Sequence, residues 1–392
     1  MAATSALLLA AHRVAKEVAA PDADAVDHDA RFPLAAVMAL KQEQLLSAYI
    51  PTEYGGAGAS LAELVEICDA LARHCAATAM IFAMHQIQVI TLVEHALDQE
   101  WYRDYLKQLV RHQYLIASVT SEIGVGGEMR HSLCALESDD AHEGEYFKLS
   151  KHASTVSYGA QADALLVTAR RNPQAAGNDQ VLVLLQKTDY TLTATGVWDT
   201  MGMRGTCSPP FDLAAHGHAA QIIDTDFASM AAQTVVPVSH LLWGGCWTGC
   251  AAAAVNKARA FVRQQARRAP GTVPPTALRL AELVSMQQSL RSAVAACLHE
   301  YQLLSQAEQT ADGVLSSLSY SVKINNLKIA ASEALPQLVM KALQICGIQA
   351  YRNDQPYSMS RHLRDSLSAA LMVGNDRMLA TNANLLLVLK DD

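Results

Sequence analysis

The sequence has few charged and few aromatic residues for its length. Asp, Glu, Lys and Arg make up 17% of the 392 residues, and Phe, Trp and Tyr make up 6%. The formal net charge is −8, and no cluster rich in Lys and Arg interrupts this acidic balance. This composition argues against nucleic acid as a partner. Because 51% of the residues are hydrophobic, the chain can bury a large core and disorder is not expected.

Cysteine motifs for metal or redox chemistry are missing. The eight cysteines are scattered and none forms a Cys-x-x-Cys pair, which excludes a zinc ribbon and a thioredoxin-like motif. We therefore expect no metal site. Cys246 and Cys250 are four residues apart and are expected to be small core residues on one helix face. Free thiols are typical of a reducing compartment, so we expect a cytoplasmic protein.

Segments typical of secretion or membrane insertion are also missing. The short apolar run at the N-terminus lacks a positive leading segment, and Arg13, Lys16 and Glu17 follow at helical intervals. This pattern predicts an amphipathic first helix and not a signal peptide. The longest near-apolar run, residues 241–255, is too short and too rich in small residues for a membrane span. We interpret it as a buried helix.

The hydrophobic pattern divides the chain into three regions. Residues 1–112 are predicted to be helical, because apolar residues recur there at spacings of three and four. One such stripe consists of Leu61, Leu64, Val65, Cys68, Leu71 and Ala72. The preceding "IPTEYGGAGAS" is a loop signal whose Ser60 can cap the next helix.

The second region is predicted to contain short strands, and the third region is predicted to contain long helices. Residues 113–225 contain the strand-like runs "DALLVTAR" and "QVLVLLQKTDYTLTA", which predict a compact β region. Residues 226–392 predict four long helices, at 240–268, 276–311, 316–346 and 365–390. A four-helix bundle is the simplest arrangement of such helices. The predicted fold class is therefore α+β, with a helical domain, a β domain and a bundle in that order.

Four short motifs occur in order along this chain. "IPTEYGGAG" is similar to Pro-x-x-Tyr-Gly-Gly-x-Gly, and "SVTSEIGVGGE" is similar to Thr-Glu-Pro-x-x-Gly-Ser-Asp. "TVSYGAQADALLVTA" is similar to Trp-Ile-Thr-Asn-Gly-x-x-Ala-Asp. "QICGIQAY", with a later "LRD", is similar to Gln-Ile-x-Gly-Gly-x-Gly-Tyr followed by Arg-Asp. In their order and spacing these motifs resemble the acyl-CoA dehydrogenase family, from about residue 30 to the end.

The resemblance implies an architecture, a cofactor and an assembly. It implies an N-terminal helical domain, a middle β-barrel and a C-terminal four-helix bundle, with FAD between barrel and bundle. It also implies a homo-oligomer, a dimer or a tetramer, in which a neighbouring subunit completes each cofactor site. Arg364 and Asp365 match the Arg-Asp pair and are expected to form a structural pair at the start of the last helix.

The resemblance implies that the first flavin contacts come from the segment around residue 120. Val119, Thr120 and Ser121 are expected to line the pyrimidine end of the flavin, where negative charge gathers on reduction. Gly126 and Gly127 are expected to let backbone N–H groups approach an anion or a flat ring. An isolated glycine-rich loop would otherwise be read as a surface turn.

Two further flavin positions differ from the family pattern. Ser157 stands where the family has a Thr whose hydroxyl reaches flavin N5, and Ser keeps that donor. Thr155 replaces the Trp that covers one face of the ring, which removes a large apolar shield.

The diphosphate half of the cofactor is expected to contact a neighbouring subunit through Gln344 and Gly347. The family's Arg-x-x-Phe-Gly motif is absent, and "RQQARRAPG" stands there instead. Arg267 is our choice for the guanidinium that contacts phosphate, with Arg263 and Arg268 as alternatives. A solvated helix end is the competing interpretation of these arginines.

The usual catalytic base is missing. In the family a carboxylate takes the α-proton of an acyl thioester while the β-hydride goes to flavin N5, so a proton acceptor must lie within reach. The usual Glu position is Val373, and the alternative position on another bundle helix is Ser239. Asp376 and His240 are the candidate replacements, and His85 is a third. Each of them also has a purely structural interpretation.

The sequence therefore predicts an FAD-dependent oxidoreductase that desaturates an acyl thioester, on CoA or on a carrier protein. We expect His85, Gln86 and Glu128 to contact that substrate, and electron-transfer flavoprotein or oxygen to accept the electrons. The missing Glu leaves three alternatives open. These are a flavin-dependent monooxygenase, an acyl-CoA desulfinase, and a binding protein that has lost turnover.

Overall fold

The computed structural model describes residues 5–139, 145–308 and 313–389, without the side chains of residues 307 and 308. Helices come first, strands lie between residues 116 and 218, and long helices follow from residue 227 onward. This order confirms the predicted fold class, in which two helical domains enclose a middle sheet region.

The N-terminal region contains six α-helices in its described residues. They are α1 (Ala6–Arg13), α2 (Ala20–His28), α3 (Leu34–Gln42), α4 (Leu61–Ala72), α5 (Ala76–His95) and α6 (Glu100–His112). A π-helical segment, Val14–Ala19, joins α1 to α2. The predicted cap is confirmed, because the Ser60 hydroxyl accepts a hydrogen bond from the backbone N–H of Glu63 while the Glu63 carboxylate accepts from that of Ser60.

The middle region forms two sheets. Its strands are β1 (Ile116–Val119), β2 (Glu137–Ser138), β3 (Tyr146–Ala153), β4 (Ala164–Arg170), β5 (Gln180–Gln186), β6 (Tyr190–Ala194) and β7 (Phe211–His218). One sheet has the order β1-β4-β5, with β1 parallel to β4, and the other has the antiparallel order β2-β3-β7-β6. Strands β4 and β5 are almost entirely buried, as their continuous apolar runs predict.

The C-terminal region is built from three long helices and several short ones. Its helices are α7 (Phe227–Met230), α8 (Val236–Arg268), α9 (Thr276–Glu308), α10 (Leu318–Cys346), α11 (Ile348–Tyr351), α12 (Ser360–Leu367) and α13 (Asn375–Leu386). The prediction of one continuous helix over residues 365–390 is wrong. The chain leaves the helix after Leu367 and forms turns through residues 368–374 before α13 begins.

Helix α8 is the centre of the molecule and packs against α4, α9 and α10. Its apolar run is buried, including Cys246 and Cys250, which confirms their prediction as core residues. Close approach to α4 depends on small residues. A Cβ atom added at Gly249 would lie 2.2 Å from the backbone oxygen of Asp69.

Helix α5 is a second buried apolar helix. It is long and apolar enough to cross a bilayer, and 89% of its most apolar window is buried inside the protein. A core helix of a folded domain has these same properties.

Candidate active site

The bundle and the loop after β1 enclose a cavity of about 360 Å³, called the active-site cavity below. Its walls come from residues 127–130, the first turns of α8 and α10, and the start of α13. Val373 and Ser239, the two positions where the family pattern carries a carboxylate, both line it. The fold therefore brings the two alternative base positions to one space, and neither supplies an acid.

The turn before α13 determines where Val373 lies. Val373 has a φ of 48°, a left-handed conformation that is strained for a β-branched residue. The buried Lys328 Nζ donates to the Val373 carbonyl at 2.9 Å and to the Asn375 Oδ1 at 2.7 Å. Burial lowers the pKa of Lys328 to about 8. These two bonds attach the turn to α10.

Ser239 and His240 are both engaged by backbone carbonyls. The Ser239 hydroxyl donates to the Val235 carbonyl at 2.5 Å. The His240 Nδ1 lies 3.1 Å from the Ile324 carbonyl, which can only accept, so Nδ1 carries the hydrogen and Nε2 keeps a lone pair. Burial lowers the pKa of His240 to about 3. His240 therefore lines the cavity as a neutral and weakly basic ring.

The carboxylates near the cavity are not arranged as the sequence suggests. Asp376 is exposed in the first turn of α13 and does not line the cavity. The helical continuation that would bring it one turn from Val373 is interrupted by the turn. Among the described residues that line the cavity, Glu128 is the only one with a carboxylate.

Arg377 closes the glycine-rich loop, residues 124–130, against α13. Its guanidinium donates to the carbonyls of Gly126 and Gly127. A Cβ atom at Gly127 would lie 2.5 Å from the Arg377 Nη1, so the Ser of the family pattern would collide here. The backbone N–H groups of Gly126 and Gly127 donate to no other described residue. Free N–H groups beside a guanidinium suit an anion, which fits the diphosphate of a flavin nucleotide.

The sheet side of the site brings together three of the predicted flavin residues. The Ser121 hydroxyl donates to the Thr155 carbonyl at 2.6 Å and accepts from the Thr155 N–H at 3.1 Å. The Ser157 hydroxyl accepts from Ser208 at 2.9 Å, so its own hydrogen remains available to a ligand. Val119 is 0% exposed, backbone included, so it presents no surface to a ligand. Thr120 is half-buried at the end of β1.

The residues predicted for the diphosphate half lie elsewhere on the surface. Gln344 is exposed near the end of α10 beside Lys341, and Gly347 ends that helix with a φ of 58°. Arg267 is exposed at the end of α8, as are Arg263 and Arg268. None of them lines the active-site cavity. Within one chain they do not meet the flavin residues of the sheet.

His85 and Gln86, predicted as substrate contacts, bind backbone groups of the protein itself. The His85 Nε2 lies 2.8 Å from the Leu46 carbonyl, and its Nδ1 accepts from the Ile116 N–H at 3.1 Å. The Gln86 Nε2 donates to the carbonyls of Leu45 and Leu46. Both side chains are 0% exposed, and burial lowers the pKa of His85 to about 4. They fasten residues 45–46 to β1.

The predicted Arg364–Asp365 pair is also corrected. Arg364 binds the Asp27 carboxylate through both terminal nitrogens. Asp365 accepts from the Met203 N–H at 2.7 Å, and burial raises its pKa to about 6. Each therefore joins the bundle to a different part of the chain.

Three contributors to the site were not found from the sequence. Arg377 has one indirect signal, the Gly127 that replaces the Ser of the family pattern. Trp243 lines the cavity and is 8% exposed, and its indole N–H has no partner among the described residues. Lys151 is 0% exposed and lies 3.6 Å from the Glu122 carboxylate. Lys151 could have been identified from the sequence, because it is a Lys at an inward-facing position of the alternating strand "YFKLSKHA".

The root of the glycine-rich loop is fixed by Glu122. Its carboxylate accepts from the Cys134 N–H at 2.7 Å, the Leu133 N–H at 3.1 Å and the Ser132 hydroxyl at 2.7 Å. No cluster of three or more His, Cys, Asp or Glu side chains with metal-binding geometry occurs among the described residues.

Family models match both helical regions of the chain. The N-terminal domain model of acyl-CoA dehydrogenase matches residues 2–113, and the C-terminal domain model matches residues 229–384. The two matches flank the sheet region.

Similar proteins and structures cover nearly the whole chain. A 3-(aryl)acrylate reductase from Clostridium sporogenes is 23% identical over 362 residues, covering 91% of each chain. The FMN-bound structure of TdsC from Paenibacillus sp. A11-2, a dibenzothiophene monooxygenase, has a TM-score of 0.84 at 19% identity and covers 98% of this chain and 97% of its own. Butyryl-CoA dehydrogenase from Megasphaera elsdenii has a TM-score of 0.79 at 18% identity and covers 97% of each chain.

Proposed function

Because the chain belongs to the acyl-CoA dehydrogenase family, we propose that it desaturates an acyl thioester between Cα and Cβ with the help of FAD. The chain is an oxidoreductase of this family's type, and flavin binding is the property that its relatives share. The finer statements, namely FAD, the thioester and the desaturation, are our proposal. The observation that carries it is the active-site cavity, where the glycine-rich loop faces both family base positions.

The cofactor is held by two groups of residues. Ser157 offers a free hydroxyl hydrogen on the sheet side, beside the linked Ser121 and Thr155. The N–H groups of Gly126 and Gly127, with Arg377, offer donors for the diphosphate. When bound, the flavin supplies the acceptor for the β-hydride.

Glu128 is the proton acceptor in this proposal. Removal of the α-proton requires a base on the cavity wall, and Glu128 is the only carboxylate among the described lining residues. His240 lines the same wall, but its pKa of about 3 makes it a weak base. Asp376 faces solvent outside the cavity. Glu128 also lies on a loop held by Arg377, which positions it relative to α13.

The remaining features of the proposal concern partners. The acyl group is carried on CoA or on a carrier protein, and the electrons pass to electron-transfer flavoprotein or to oxygen. A second copy of the chain would bring Gln344, Gly347 and Arg267 to the diphosphate, since these residues do not reach it within one chain. We propose that the protein works in the cytoplasm.

A flavin-dependent monooxygenase is the second candidate. Its chemistry needs no carboxylate at Val373 or Ser239, and Thr155 is exposed where the family pattern has the shielding Trp. The FMN-bound monooxygenase TdsC shares the fold at a TM-score of 0.84. An acyl-CoA desulfinase and a binding protein without turnover are weaker candidates that rest on the missing Glu alone.

An anaerobic titration separates these functions. Purified protein is saturated with FAD and titrated with acyl-CoA substrates of different chain length and branching, while the flavin absorbance is followed. A dehydrogenase bleaches the flavin stoichiometrically. If every acyl-CoA leaves the flavin oxidised, and a reductase with oxygen gives product, the desaturation proposal is wrong and the monooxygenase is correct. A protein that does neither is a desulfinase or a binding protein.

The role of Glu128 is tested by Glu128→Gln, with Asp376→Asn as the matched control. We expect Glu128→Gln to slow flavin bleaching about 100-fold or more, because loss of a general base removes that factor from the rate. Asp376→Asn should keep the wild-type rate. Equal rates for wild type and Glu128→Gln would remove Glu128 from the mechanism.

A further inference from the structure

A second cavity, called the junction cavity below, has a volume of about 460 Å³. It lies between α2, the chain segment 353–358 and α12, with Arg204 on one side. It shares no lining residue with the active-site cavity. Its size is that of a site for a small molecule.

Basic side chains outnumber acidic ones on the wall of the junction cavity. The basic ones are Arg204, Lys257, Arg361 and Arg364, and the acidic ones are Asp24 and Asp27. With the two histidines of the wall counted as neutral, the lining carries an excess of two positive charges. An excess of this kind in a concave site attracts an anion.

Some of the basic side chains on this wall have a carboxylate partner, and others do not. Asp27 is fully used by Arg364, which binds both of its oxygens. Asp24 accepts only from the Arg361 Nε at 2.9 Å and is 93% exposed, so solvent weakens this pair. Lys257 donates to the Ser358 carbonyl at 2.7 Å and pairs with no carboxylate among the described residues.

Lys257 and Arg361 therefore line the same cavity, and the carboxylates that line it do not fully neutralise them. The Arg361 side chain is 14% exposed, and its Nη1 and Nη2 atoms donate to no other described residue. Burial lowers the pKa of Lys257, and the Arg361 charge lowers it further. Asp365 lies behind this wall, with one carboxylate oxygen accepting from the Met203 N–H.

His362 supplies a third unused group. It lines the junction cavity and is only 3% exposed, and its Nδ1 has no hydrogen-bond partner among the described residues. Burial holds its pKa well below the usual range, and the charges of Arg361 and Lys257 act in the same direction. A buried polar atom without a partner is uncommon in folded proteins and needs an explanation, of which a bound ligand is one.

We propose that the junction cavity binds the phosphate group of a small phosphorylated molecule, through Lys257, Arg361 and His362. A phosphate monoester carries a charge of about −1.5 to −2, which matches the excess of two positive charges. The free terminal nitrogens of Arg361 suit two phosphate oxygens, Lys257 adds a point charge, and the neutral ring of His362 adds one donor.

The test uses calorimetric titration of full-length protein that has first been saturated with FAD, so that a phosphate cannot enter the flavin site. Inorganic phosphate, glycerol phosphate and adenosine monophosphate are titrated separately, with acetate as the carboxylate control. We expect one phosphate per chain and weaker binding of acetate. Tighter binding of adenosine monophosphate identifies a nucleotide ligand, and tighter binding of glycerol phosphate identifies a smaller ester.

Variants connect the binding to the junction cavity. Lys257→Gln and Arg361→Gln should each weaken phosphate binding about tenfold or more, because each removes a charge-assisted hydrogen bond. Lys257→Arg keeps the charge and should retain binding, which separates loss of the site from loss of folding. Lys341→Gln, at a position that does not line the junction cavity, is the matched control and should bind as wild type does. Failure of all three phosphates to bind, or equal binding by wild type and both Gln variants, overturns the proposal. Neither result depends on turnover.

Discussion

At the scale of single residues, the Arg377 guanidinium occupies the space beside Gly127. The Arg377 guanidinium binds the carbonyls of Gly126 and Gly127, and any side chain at position 127 would meet it. Gly126 has the same left-handed backbone but open space around its Cα. Substitutions at the two glycines therefore distinguish the cost of backbone strain, which both positions share, from steric collision, which occurs only at Gly127.

A pair of serine variants tests this arrangement. Gly126→Ser and Gly127→Ser both place a Cβ on a left-handed residue, at about 1 to 3 kcal/mol each. Only Gly127→Ser should also displace Arg377 and weaken flavin binding, measured by quenching of flavin fluorescence. The account is contradicted if both serine variants bind flavin equally.

Three histidines whose side chains are buried or half-buried predict how stability depends on pH. Burial lowers the pKa of His85 and His95 to about 4 and of His240 to about 3, against 6.5 for a free side chain. Below pH 6.5 the unfolded chain takes up protons that the folded chain refuses, so the free energy of unfolding falls as pH falls. The decline should continue to about pH 4, and urea unfolding at pH 7.5, 6, 5 and 4.5 measures it.

Substituting single histidines shows which of them cause the free energy of unfolding to fall with pH. His85→Gln should flatten the decline, whereas His299→Gln, at an exposed position on α9, should not change it. A free energy of unfolding that stays constant from neutral pH to about pH 5 would show that these histidines titrate equally in both states.

Part of the site could be read from the sequence at this scale. The absence of a carboxylate at Val373 and Ser239 followed from local motifs, because a motif fixes residue spacing. Arg377 could not be found in this way, since its partners lie 250 residues earlier in the chain. For His85, the sequence does not show that both ring nitrogens meet backbone groups of distant segments.

At the scale of elements, α4 and α8 approach each other closely at Gly249. A Cβ atom at Gly249 would lie 2.2 Å from the Asp69 oxygen, whereas one at Gly244 would meet only the end of the Val294 side chain at 3.0 Å. The Asp69 backbone cannot move away from an added methyl group, whereas the end of the Val294 side chain can rotate away from it. The two glycines of α8 therefore differ in what surrounds them and not in helix geometry.

Alanine substitution should show this difference. Gly249→Ala is expected to destabilise the fold by about 1 to 3 kcal/mol, because overpacking forces the two helices apart. Gly244→Ala gains the same helix propensity, at most about 1 kcal/mol, and should change stability by less than that amount. Thermal unfolding of the two variants beside wild type measures the effect. Equal melting temperatures for both variants would contradict the close packing of α4 on α8.

The helices and strands were largely predictable because apolar periodicity repeats over many residues. The runs that predict β4, β5 and β6, and the long helices α8 and α10, appear where the pattern places them. The break between α12 and α13 was missed, because Val373 carries no turn signal of its own. Its left-handed backbone depends on the bonds from Lys328, a contact across 45 residues.

At the scale of the whole molecule, the sheet and the bundle supply different halves of one site. Ser157 and the glycine-rich loop come from the β region, while Val373, His240 and Arg377 come from the bundle. A ligand that bridges them should stabilise both regions together. The family pattern anticipated this division, and Gln344 and Arg267 are exposed and lie outside the active-site cavity.

The most direct measurement is the absorption spectrum of the purified protein, with identification of any cofactor that heat releases. The account predicts a yellow protein with flavin bands that releases about one FAD per chain. Incubation with FAD followed by desalting should fill any remaining sites. A protein that is colourless as purified, and still colourless after incubation with excess FAD, would contradict the claim that this fold holds a flavin between its sheet and its bundle.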